Sequence, residues 1–365
     1  MENNVREMAR RGYRVDVIAP RSVLAELKYL VRPKREASYS NESVRLFSPI
    51  VPVLSERFSP MRRARASFNG QVRRTIVYGA IPKSNEYDFI YAQFLSGAEA
   101  ALSYASRRNV PLIVHMGESS MDTYLNRWSL PKLKHVLNKC DLLLPVSKKN
   151  YDFVLAIDSR YREKTRIVPN GVDTSVFYPR DKCGCRTKLG LPTGEKIAIF
   201  VGHFIERKGP QRVSGALEKI GIRGIFIGGN GIQVPRGETV LFAGPVLNSE
   251  LPIWLNSADV FVLPSLDEGM SNAILEAAAC GLPLVVSDRS FNKGFIPSSC
   301  GYFCDPADIE DIARGISVLL DARDPVGLQD SCVQLAEKKS IRKRIDTILG
   351  HVGKLSGDSV YKEEV

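Results

Sequence analysis

Short apolar runs rich in β-branched residues recur along the whole chain and alternate with segments whose apolar residues follow helical spacing. The runs cover residues 14–20, 44–50, 88–94, 111–117, 142–147, 196–202, 224–229, 240–244, 260–265, 283–288 and 301–305. Helical spacing between them is clearest over residues 210–220, 271–280 and 309–320. Runs without polar alternation predict strands buried on both faces, and strands alternating with helices predict doubly wound parallel sheets. The sequence therefore predicts an α/β fold.

The length and the turn-forming residues predict two domains. A chain of 365 residues is longer than one hydrophobic core usually serves. Polar, turn-forming residues cluster between residues 168 and 192, which predicts a boundary there. We expect Rossmann-like domains over residues 1–175 and 193–335, a linker over 176–192, and a C-terminal helix and tail over 336–365 that can cross back to the first domain. In such folds the ligand site is expected in the cleft at the carboxyl ends of the strands.

The first element of the chain departs from the usual doubly wound pattern. Helical spacing over residues 4–11 leads directly into the strand-like run 14–20. A doubly wound domain normally opens with a strand and a glycine-rich turn before its first helix. We therefore expect the first strand of the N-terminal domain to be missing from this sequence.

The positive charge is concentrated in the first half. Residues 1–180 contain 30 Lys and Arg against 17 Asp and Glu, whereas residues 181–365 contain 21 against 23. This asymmetry indicates that the first half meets a polyanion, such as a membrane surface or a phosphorylated acceptor. The alternative is a basic, fully solvated surface. Nucleic acid is not an expected partner, because no RNA- or DNA-binding motif is present.

The cysteine pattern and the first residues of the sequence indicate the cellular compartment of the protein. Seven cysteines, an odd number scattered along a long chain, do not predict a disulfide framework, and their spacing does not predict structural zinc. The start of the sequence is polar, and no apolar stretch approaches the roughly 18 residues that span a bilayer. We expect a cytoplasmic protein.

The strongest local signal lies in residues 261–281, which predict a strand, a loop and a helix. Ser271 or Asn272 can cap the helix, and Gly281 can end it. The exposed amides of residues 269–273, together with the helix dipole, form a cradle for phosphate. Two carboxylates flank this cradle at Glu268 and Glu276. A carboxylate can accept two hydrogen bonds from a ribose diol or hold sugar hydroxyl groups, so the segment predicts a phosphorylated, hydroxyl-bearing ligand.

This segment resembles the E-x7-E signature of glycosyltransferase family 4, the group 1 glycosyltransferases. The resemblance rests on Glu268 and Glu276 eight residues apart, together with Gly269, Asn272, Leu275 and the sequence Gly281-Leu282-Pro283. Residues 111–117, 167–173 and 200–209 resemble three further segments of that family, in the expected order. The resemblance covers roughly residues 5–345.

The resemblance implies a GT-B fold and a retaining, metal-independent transfer from a nucleoside diphosphate sugar, with UDP favoured over GDP. The acceptor would be a polysaccharide or a lipid-linked oligosaccharide. The first domain would bind this acceptor and the second the nucleotide sugar. No cofactor is implied beyond the nucleotide-sugar co-substrate.

The resemblance also assigns roles to individual residues. Lys208 would neutralise the departing diphosphate, Glu268 would contact the donor sugar, and His115 would contact the sugar near the reacting carbon; these three form the catalytic set. Glu276 would bind the ribose. His203 stands where the family usually has arginine, and Arg207 can substitute for that cation. The full donor-binding set is Gly202, His203, Arg207, Lys208, Val246, Glu268, Gly269, Met270, Ser271, Asn272 and Glu276.

Residues 61–77 have the pattern of a cationic amphipathic helix. Phe68, Val72 and Ile76 recur four residues apart and form one apolar stripe. Arginines surround it at Arg62, Arg63, Arg65, Arg73 and Arg74. The pattern indicates a membrane or acceptor face able to lie peripherally on the anionic inner face of a cell membrane. The alternative is a domain helix whose apolar stripe packs on the sheet.

Two other functions remain open, and a third is disfavoured. A degenerate or truncated family member could bind nucleotide or a partner subunit without transferring sugar. A GT-B nucleotide-sugar epimerase would need acid and base groups in the cleft, and the chain has only four histidines. A nicotinamide dehydrogenase is disfavoured, because the glycine-rich residues 228–231 lack the G-x-G-x-x-G spacing and a following helix.

Overall fold

A computed structural model describes residues 2–22, 43–51, 62–83, 85–118, 121–229, 231 and 234–356. The chain divides into two compact units, Met1–Pro169 with Ile345–Val365, and Asn170–Arg344. The expected linker over residues 176–192 lies within the second unit and contains a helix. None of the described helices combines the length with the apolar character that crossing a lipid bilayer requires.

The described part of the first unit contains seven parallel strands and seven α-helices. The strands are β1 (Val15–Ile18), β2 (Arg21–Ser22), β3 (Val44–Phe47), β4 (Ile50–Val51), β5 (Ile90–Gln93), β6 (Leu112–Met116) and β7 (Leu142–Pro145). The first six helices are α1 (Glu2–Arg10), α2 (Arg62–Ala80), α3 (Phe94–Arg108), α4 (Asp122–Arg127), α5 (Leu130–Lys139) and α6 (Lys148–Ile157). The seventh is the last helix of the chain, which begins in the second unit. A 3₁₀ helix spans Ser159–Lys164.

The strands of the first unit pair in parallel. β1 pairs with β3, β2 with β4, and β5, β6 and β7 form a three-stranded sheet with β6 in the middle. All five residues of β6 are buried, as expected for a strand covered on both faces. Ile345, Ile348 and Val352 of the last helix join the buried cluster around Ile113 and Leu144 of this sheet.

The described part of the second unit contains six strands and the remaining helices. The strands are β8 (Ile197–Val201), β9 (Arg223–Ile227), β10 (Val240–Gly244), β11 (Val260–Leu263), β12 (Leu284–Ser287) and β13 (Gly301–Cys304). The helices are α7 (Lys182–Leu189), α8 (Pro210–Ile220), α9 (Leu251–Asn256), α10 (Asn272–Ala279), α11 (Ser290–Lys293), α12 (Ile309–Leu320), α13 (Pro325–Lys338) and α14 (Ile341–Ser356). Two 3₁₀ turns span Glu206–Lys208 and Ser298–Cys300.

One parallel sheet organises the second unit, in the order β10-β9-β8-β11-β12-β13. The chain leaves β8 toward β9 on one side, whereas β11 pairs with the other side of β8. β8 leads to β9 and β11 leads to β12, which lie on opposite sides of this central pair, so a topological switch point lies between β8 and β11. The carboxyl edge at such a switch point is where open α/β sheets bind ligands. Every one of the eleven predicted runs contains a strand, which confirms the α/β fold class.

Asp259 ties the amino ends of the two central strands β8 and β11 together. Its carboxylate accepts hydrogen bonds from the Ile197 amide at 2.8 Å, from the Arg186 guanidinium at 2.7 Å and from the Lys182 ammonium at 2.7 Å. Burial alone would raise the pKa of Asp259, but these hydrogen bonds and charges outweigh burial and lower it. The carboxylate is thus a structural anchor for the sheet that carries the candidate site.

Asp259→Asn is expected to destabilise the second unit by about 2–3 kcal/mol, because the buried Arg186 guanidinium loses its counter-charge. The measurement is urea unfolding followed by Trp254 fluorescence in a Trp128→Phe background. Because the folded pKa lies below the ordinary 3.8, the wild-type advantage is present above that value and disappears as pH falls through the folded pKa. An unchanged midpoint at neutral pH contradicts the anchoring role.

Candidate functional site

Two loops meet at the carboxyl edge of the second unit's sheet, beside the switch point. The loop after β8 covers residues 202–209 and contains the 3₁₀ turn. The loop after β11 covers residues 264–271 and leads into α10. The amide of Leu266 donates to the carbonyl of Arg207 over 2.8 Å and joins the two loops. The sheet therefore supports a paired-loop structure at the place where a ligand is expected.

Lys208 and Glu268 form a buried ion pair between these loops. The Nζ of Lys208 contacts the Oε1 of Glu268, and the two residues are only 9% and 6% exposed. Arg207 lies 3.3 Å from the same carboxylate oxygen and also donates to the carbonyl of Asp267. Two cations around one carboxylate leave a net positive charge at the loop junction. This arrangement suits an anionic ligand.

The N-terminus of α10 presents its amides at the same edge. Ser271 occupies the N-cap position, and its side chain makes no capping hydrogen bond. Outside the ladder of the helix itself, the amides of residues 269–273 donate to no acceptor in the described part of the chain. Asn170 steadies this turn, because its side-chain amide donates to the carbonyl of Met270 over 3.2 Å. These amides are the groups on which the predicted phosphate cradle depends.

Glu276 is a half-buried carboxylate without a partner among the described residues. It lies one turn into α10, and it has neither a hydrogen bond nor an ion pair with any residue that the structure describes. Burial raises its pKa to about 7 from the ordinary 4.5. A carboxylate in such surroundings is costly when unpaired, and the hydroxyl groups of a ligand can recover that cost by donating hydrogen bonds to it.

Two glycines after β9 allow the backbone of their loop to lie directly against the backbone of the loop after β8. A Cβ on Gly228 would lie 1.8 Å from the carbonyl oxygen of Gly202, and one on Gly231 would lie 1.7 Å from that of Phe204. No side chain fits at either position. Sequence reasoning considered this segment only as a dinucleotide fingerprint and missed its role, which is to support the loop after β8.

The remaining donor-set residues lie along the same carboxyl edge. Gly202 and His203 directly follow β8, and the His203 side chain is exposed. Val246 follows β10 and is half-buried against the core of the unit. The fold therefore gathers the loop residues around β8 and β11, whereas Val246 lies two strands away from β8.

His115 lies in the first unit, in the buried strand β6. Its Nδ1 is 2.8 Å from the Oε1 of Gln93 on the neighbouring strand, and the two residues pair directly in the sheet register. The imidazole stacks on Tyr91 with ring centres 6.1 Å apart and lies 6.4 Å from the ring of Phe94. The ring is thus held by a polar contact and by aromatic neighbours.

Sequence reasoning missed a buried carboxyl group three residues beyond His115. The Oε1 of Glu118 accepts hydrogen bonds from the Leu95 amide at 3.1 Å and from the Tyr124 hydroxyl at 2.8 Å. Burial is the main cause that raises the pKa of Glu118. No local pattern marks either residue, because the sheet register pairs Gln93 with His115, and the partners of Glu118 lie on α3 and α4.

The predicted basic face lies on α2. The structure describes the side chains of Arg73 and Arg74, which are half-buried, whereas those of Arg62, Arg63 and Arg65 lie outside the described side chains. The predicted apolar stripe is partly open: Phe68 is 50% exposed, and Val72 and Ile76 are half-buried.

A different face of α2 packs on α3. A Cβ on Gly70 would lie 2.3 Å from the Oε1 of Glu99, and Val77 is buried in a cluster with Ala100 and Tyr104. α2 is therefore a packed domain helix, and its predicted apolar stripe is not the face that contacts α3.

Comparisons with known proteins agree with this architecture. The chain is similar in fold to sucrose-phosphate synthase from Thermosynechococcus elongatus, with a TM-score of 0.75, 19% identity and coverage of 97% of this chain and 92% of that one. It is also similar to Anabaena Alr3699/HepE in complex with UDP-glucose, with a TM-score of 0.64, 15% identity and coverage of 92% and 99%. These likenesses confirm the GT-B fold.

The family comparisons cover both units. Residues 1–176 match the family model described as Glycosyltransferase Family 4, and residues 195–322 match the model described as Glycosyl transferases group 1. The putative teichuronic acid biosynthesis glycosyltransferase TuaC of Bacillus subtilis strain 168 is 26% identical over 79% of this chain and 75% of its own length. The resemblance drawn from the E-x7-E segment is confirmed, and the chain belongs to the group 1 (family 4) glycosyltransferases.

Proposed function

We propose that this chain transfers a sugar from a UDP-sugar to a growing polysaccharide or lipid-linked oligosaccharide, with retention of the anomeric configuration. The observation that carries the proposal is the order of groups on the loop after β11 and on α10. An ion-paired carboxylate, a row of unbonded amides and an unpaired carboxylate follow one another at Glu268, residues 269–273 and Glu276. A nucleoside diphosphate sugar presents sugar hydroxyls, a diphosphate and a ribose diol in the same order.

The nucleotide end of the donor is assigned to α10. The ionised Glu276 carboxylate accepts hydrogen bonds from the two ribose hydroxyl groups, which supplies the partners that the protein does not provide. The amides of residues 269–273 and the helix dipole hold the diphosphate. UDP is the proposed nucleotide, supported by the similarity in fold to a protein solved with UDP-glucose, and GDP is the second choice.

The cations beside Glu268 stabilise the transition state of the sugar transfer. Negative charge builds on the diphosphate as the bond to the sugar breaks, and a fixed ammonium at Lys208 stabilises that charge in the transition state. Arg207 adds a second positive charge at the same junction. Because these side chains supply the cationic stabilisation, we propose that the transfer requires no metal ion. Glu268 is assigned to the donor sugar, and His115 to the sugar near the reacting carbon.

The experiment that tests the function is label transfer. UDP sugars carrying radiolabelled glucose, galactose or N-acetylglucosamine are incubated with the protein and a bacterial lipid and polysaccharide extract. Label is expected in the lipid or polymer fraction, and NMR of the product is expected to show the anomeric configuration of the donor. Inversion at the anomeric carbon contradicts the proposed stereochemistry, and absence of transfer from every UDP- and GDP-sugar contradicts the activity.

A nucleotide-binding subunit without transferase activity is the second candidate. His203 is exposed directly after β8, and a histidine supplies a weaker cation at neutral pH than the arginine usual in the family. UDP that stabilises the protein, without label transfer to any acceptor, would select this candidate.

We also propose that α2 attaches the protein to an anionic membrane surface. The half-exposed Phe68 ring and the half-buried Val72 and Ile76 line one stripe, and Arg73 and Arg74 lie beside it. Apolar side chains beside arginines suit the headgroup region of an anionic leaflet.

Co-sedimentation with phosphatidylglycerol vesicles at low salt tests this attachment. Arg73→Ser with Arg74→Ser is expected to weaken binding about 30-fold, since each basic residue near an anionic surface contributes about 1 kcal/mol. Lys188→Ser with Arg323→Ser removes the same charge from the second unit and is expected to leave binding nearly unchanged. If both double variants lose vesicle binding equally, or if the wild type does not bind the vesicles, α2 is not the membrane-binding element.

A further inference from the structure

Two of the seven cysteines lie against each other in the interior of the second unit. Cys300 ends a 3₁₀ turn directly before β13, and Cys332 lies in α13. The Sγ of Cys332 donates to the carbonyl of Cys300 over 3.3 Å, and the Sγ of Cys300 donates to the carbonyl of Ser331 over 3.3 Å. Both are free thiols and fully buried. Each thiol therefore contacts the backbone beside the other cysteine.

The two thiols differ in acidity. A hydrogen bond from the Cys332 thiol is the main cause that lowers the pKa of Cys300, and it outweighs the opposing effect of burial. The Ser299 hydroxyl and the Lys338 ammonium lower the same pKa further. The hydrogen bond to Cys300 and burial both raise the pKa of Cys332. Because the thiolate is the nucleophilic form of cysteine, Cys300 is the reactive member of the pair.

The turn that carries Cys300 lies at the surface. Pro297, Ser298 and Ser299 are exposed, and Cys300 follows them directly. The amide of Cys300 donates to the carbonyl of Pro297 over 3.0 Å, and the amide of Gly301 donates to that of Ser298. A short exposed turn of this kind opens at a far lower cost in free energy than the unfolding of the whole unit. Local opening therefore gives a molecule as small as hydrogen peroxide access to the Cys300 sulfur.

We propose that Cys300 and Cys332 are a redox modification site, at which hydrogen peroxide forms a reversible disulfide. The Cys300 thiolate attacks one peroxide oxygen, so that an S–O bond forms, the O–O bond breaks, and the released hydroxide leaves as water with the proton of that thiol. The Cys332 sulfur then attacks the Cys300 sulfur. The S–S bond forms, the S–O bond breaks, and a second hydroxide leaves as water with the Cys332 proton. Each cysteine is oxidised by one electron, and the peroxide is reduced by two.

The disulfide ties α13 to the start of β13. α13 packs against α10, the helix that carries Glu276. The contact is close at the end of α10, where a Cβ on Gly281 would lie 2.7 Å from the Cγ of Gln329 on α13. The bond also closes a loop over residues 300–332, which restricts the unfolded chain. The oxidised protein is therefore more stable than the reduced protein, and this inference does not depend on nucleotide binding.

Peptide mapping without a reductant tests the bond itself. Cys183→Ser removes an exposed thiol that would otherwise cross-link two molecules. The folded variant is treated with hydrogen peroxide, its remaining thiols are blocked with N-ethylmaleimide, and it is digested with trypsin and chymotrypsin. Chymotrypsin cuts at the aromatic residues between Cys300 and Cys304, so mass spectrometry identifies the bonded cysteine. The Cys300 peptide is expected to be joined to the Cys332 peptide, and dithiothreitol is expected to separate them.

Thermal unfolding tests the effect of the bond on the second unit. The oxidised Cys183→Ser protein is expected to unfold about 5–10 °C above its reduced form. With Cys332→Ala added, the two forms are expected to have the same Tm. With Cys304→Ala added instead, which removes another buried thiol of β13, the difference is expected to remain. Comparing the two redox forms of one variant excludes the cost of the substitution itself.

Three results would overturn the proposal. The first is the absence of a bond between Cys300 and Cys332 in the peroxide-treated folded protein, including a bond that forms only in urea. The second is the oxidation of Cys300 to sulfinic or sulfonic acid as the main product, which dithiothreitol does not reverse. The third is a bonded protein with the Tm of the reduced form, because α13 would then not be constrained by the disulfide.

Discussion

Lys208→Met is expected to lower kcat by about 10²–10³-fold, the cost of removing one preorganised charge that stabilises a transition state. Methionine keeps the length and most of the packing of the buried side chain, so the missing ammonium is the main change. The same variant leaves the Glu268 carboxylate buried, and among the described residues Arg207 at 3.3 Å is the one cation that remains beside it. We expect a loss of about 2–4 kcal/mol of unfolding free energy, because a buried charge has lost its closest partner.

The double variant Lys208→Met with Glu268→Gln separates catalysis from folding. Removing both charges relieves the unpaired carboxylate, so urea unfolding is expected to return close to wild type. Turnover of the UDP-sugar is expected to stay low, because the cation that stabilises the leaving diphosphate is still absent. Recovery of turnover together with stability would show that Lys208 acts only through folding.

Glu276→Gln is expected to weaken UDP binding on the order of 100-fold and to stabilise the protein without ligand. The binding loss follows because hydrogen bonds from the ribose to a charged acceptor are replaced by weaker bonds to an amide. The gain without ligand follows because a half-buried, unpaired carboxylate becomes neutral. Opposite effects on stability and affinity in one variant are typical of a ligand-binding group rather than a structural one.

The pH dependence of stability and of UDP affinity is a second test of the role of Glu276. The folded pKa of Glu276 is about 7, above the ordinary 4.5, so the protonated form is favoured in the folded protein. Its contribution to stability is fully present below pH 4.5 and is lost as pH rises to about 7. UDP affinity is expected to rise across pH 7, because the ribose bonds to the ionised form.

Calorimetric titration of UDP on either side of pH 7, with urea unfolding of the free protein, measures both effects. Glu337→Gln makes the same substitution on an exposed surface of α13 and is expected to leave affinity and stability unchanged. A Glu276→Gln variant that binds UDP like the wild type would remove Glu276 from the nucleotide site.

Much of the fold follows from local sequence patterns. A strand buried on both faces, such as β6, must be apolar throughout, so its run is visible without any knowledge of its neighbours. The turn into α10 is equally local: Ser271 occupies the N-cap, and Gly281, with a φ of 77°, follows the end of the helix as predicted. The donor segment could therefore be recognised within one continuous stretch.

Features that depend on distant residues could not be predicted in this way. Lys208 and Glu268 were both assigned to the donor, but their mutual ion pair arises because β8 and β11 are neighbours in the sheet. The glycine-rich segment resembles a cofactor motif in sequence, whereas the close approach of Gly228 and Gly231 to the loop after β8 explains why these two positions are glycine. The left-handed φ of 63° at Phe94 has no sequence signal, since phenylalanine is not a residue typical of left-handed turns.

We propose that the second unit holds a nucleoside diphosphate between Lys208 and Glu276. A thermal-unfolding panel of UDP, GDP, ADP and TDP on the wild type and on Glu276→Gln tests it most directly. A nucleotide at about a hundred times its Kd adds roughly 2.7 kcal/mol, which corresponds to about 5–10 °C in Tm. UDP is expected to give this shift in the wild type and little or none in the variant. A wild type that none of the four nucleotides stabilises would contradict it.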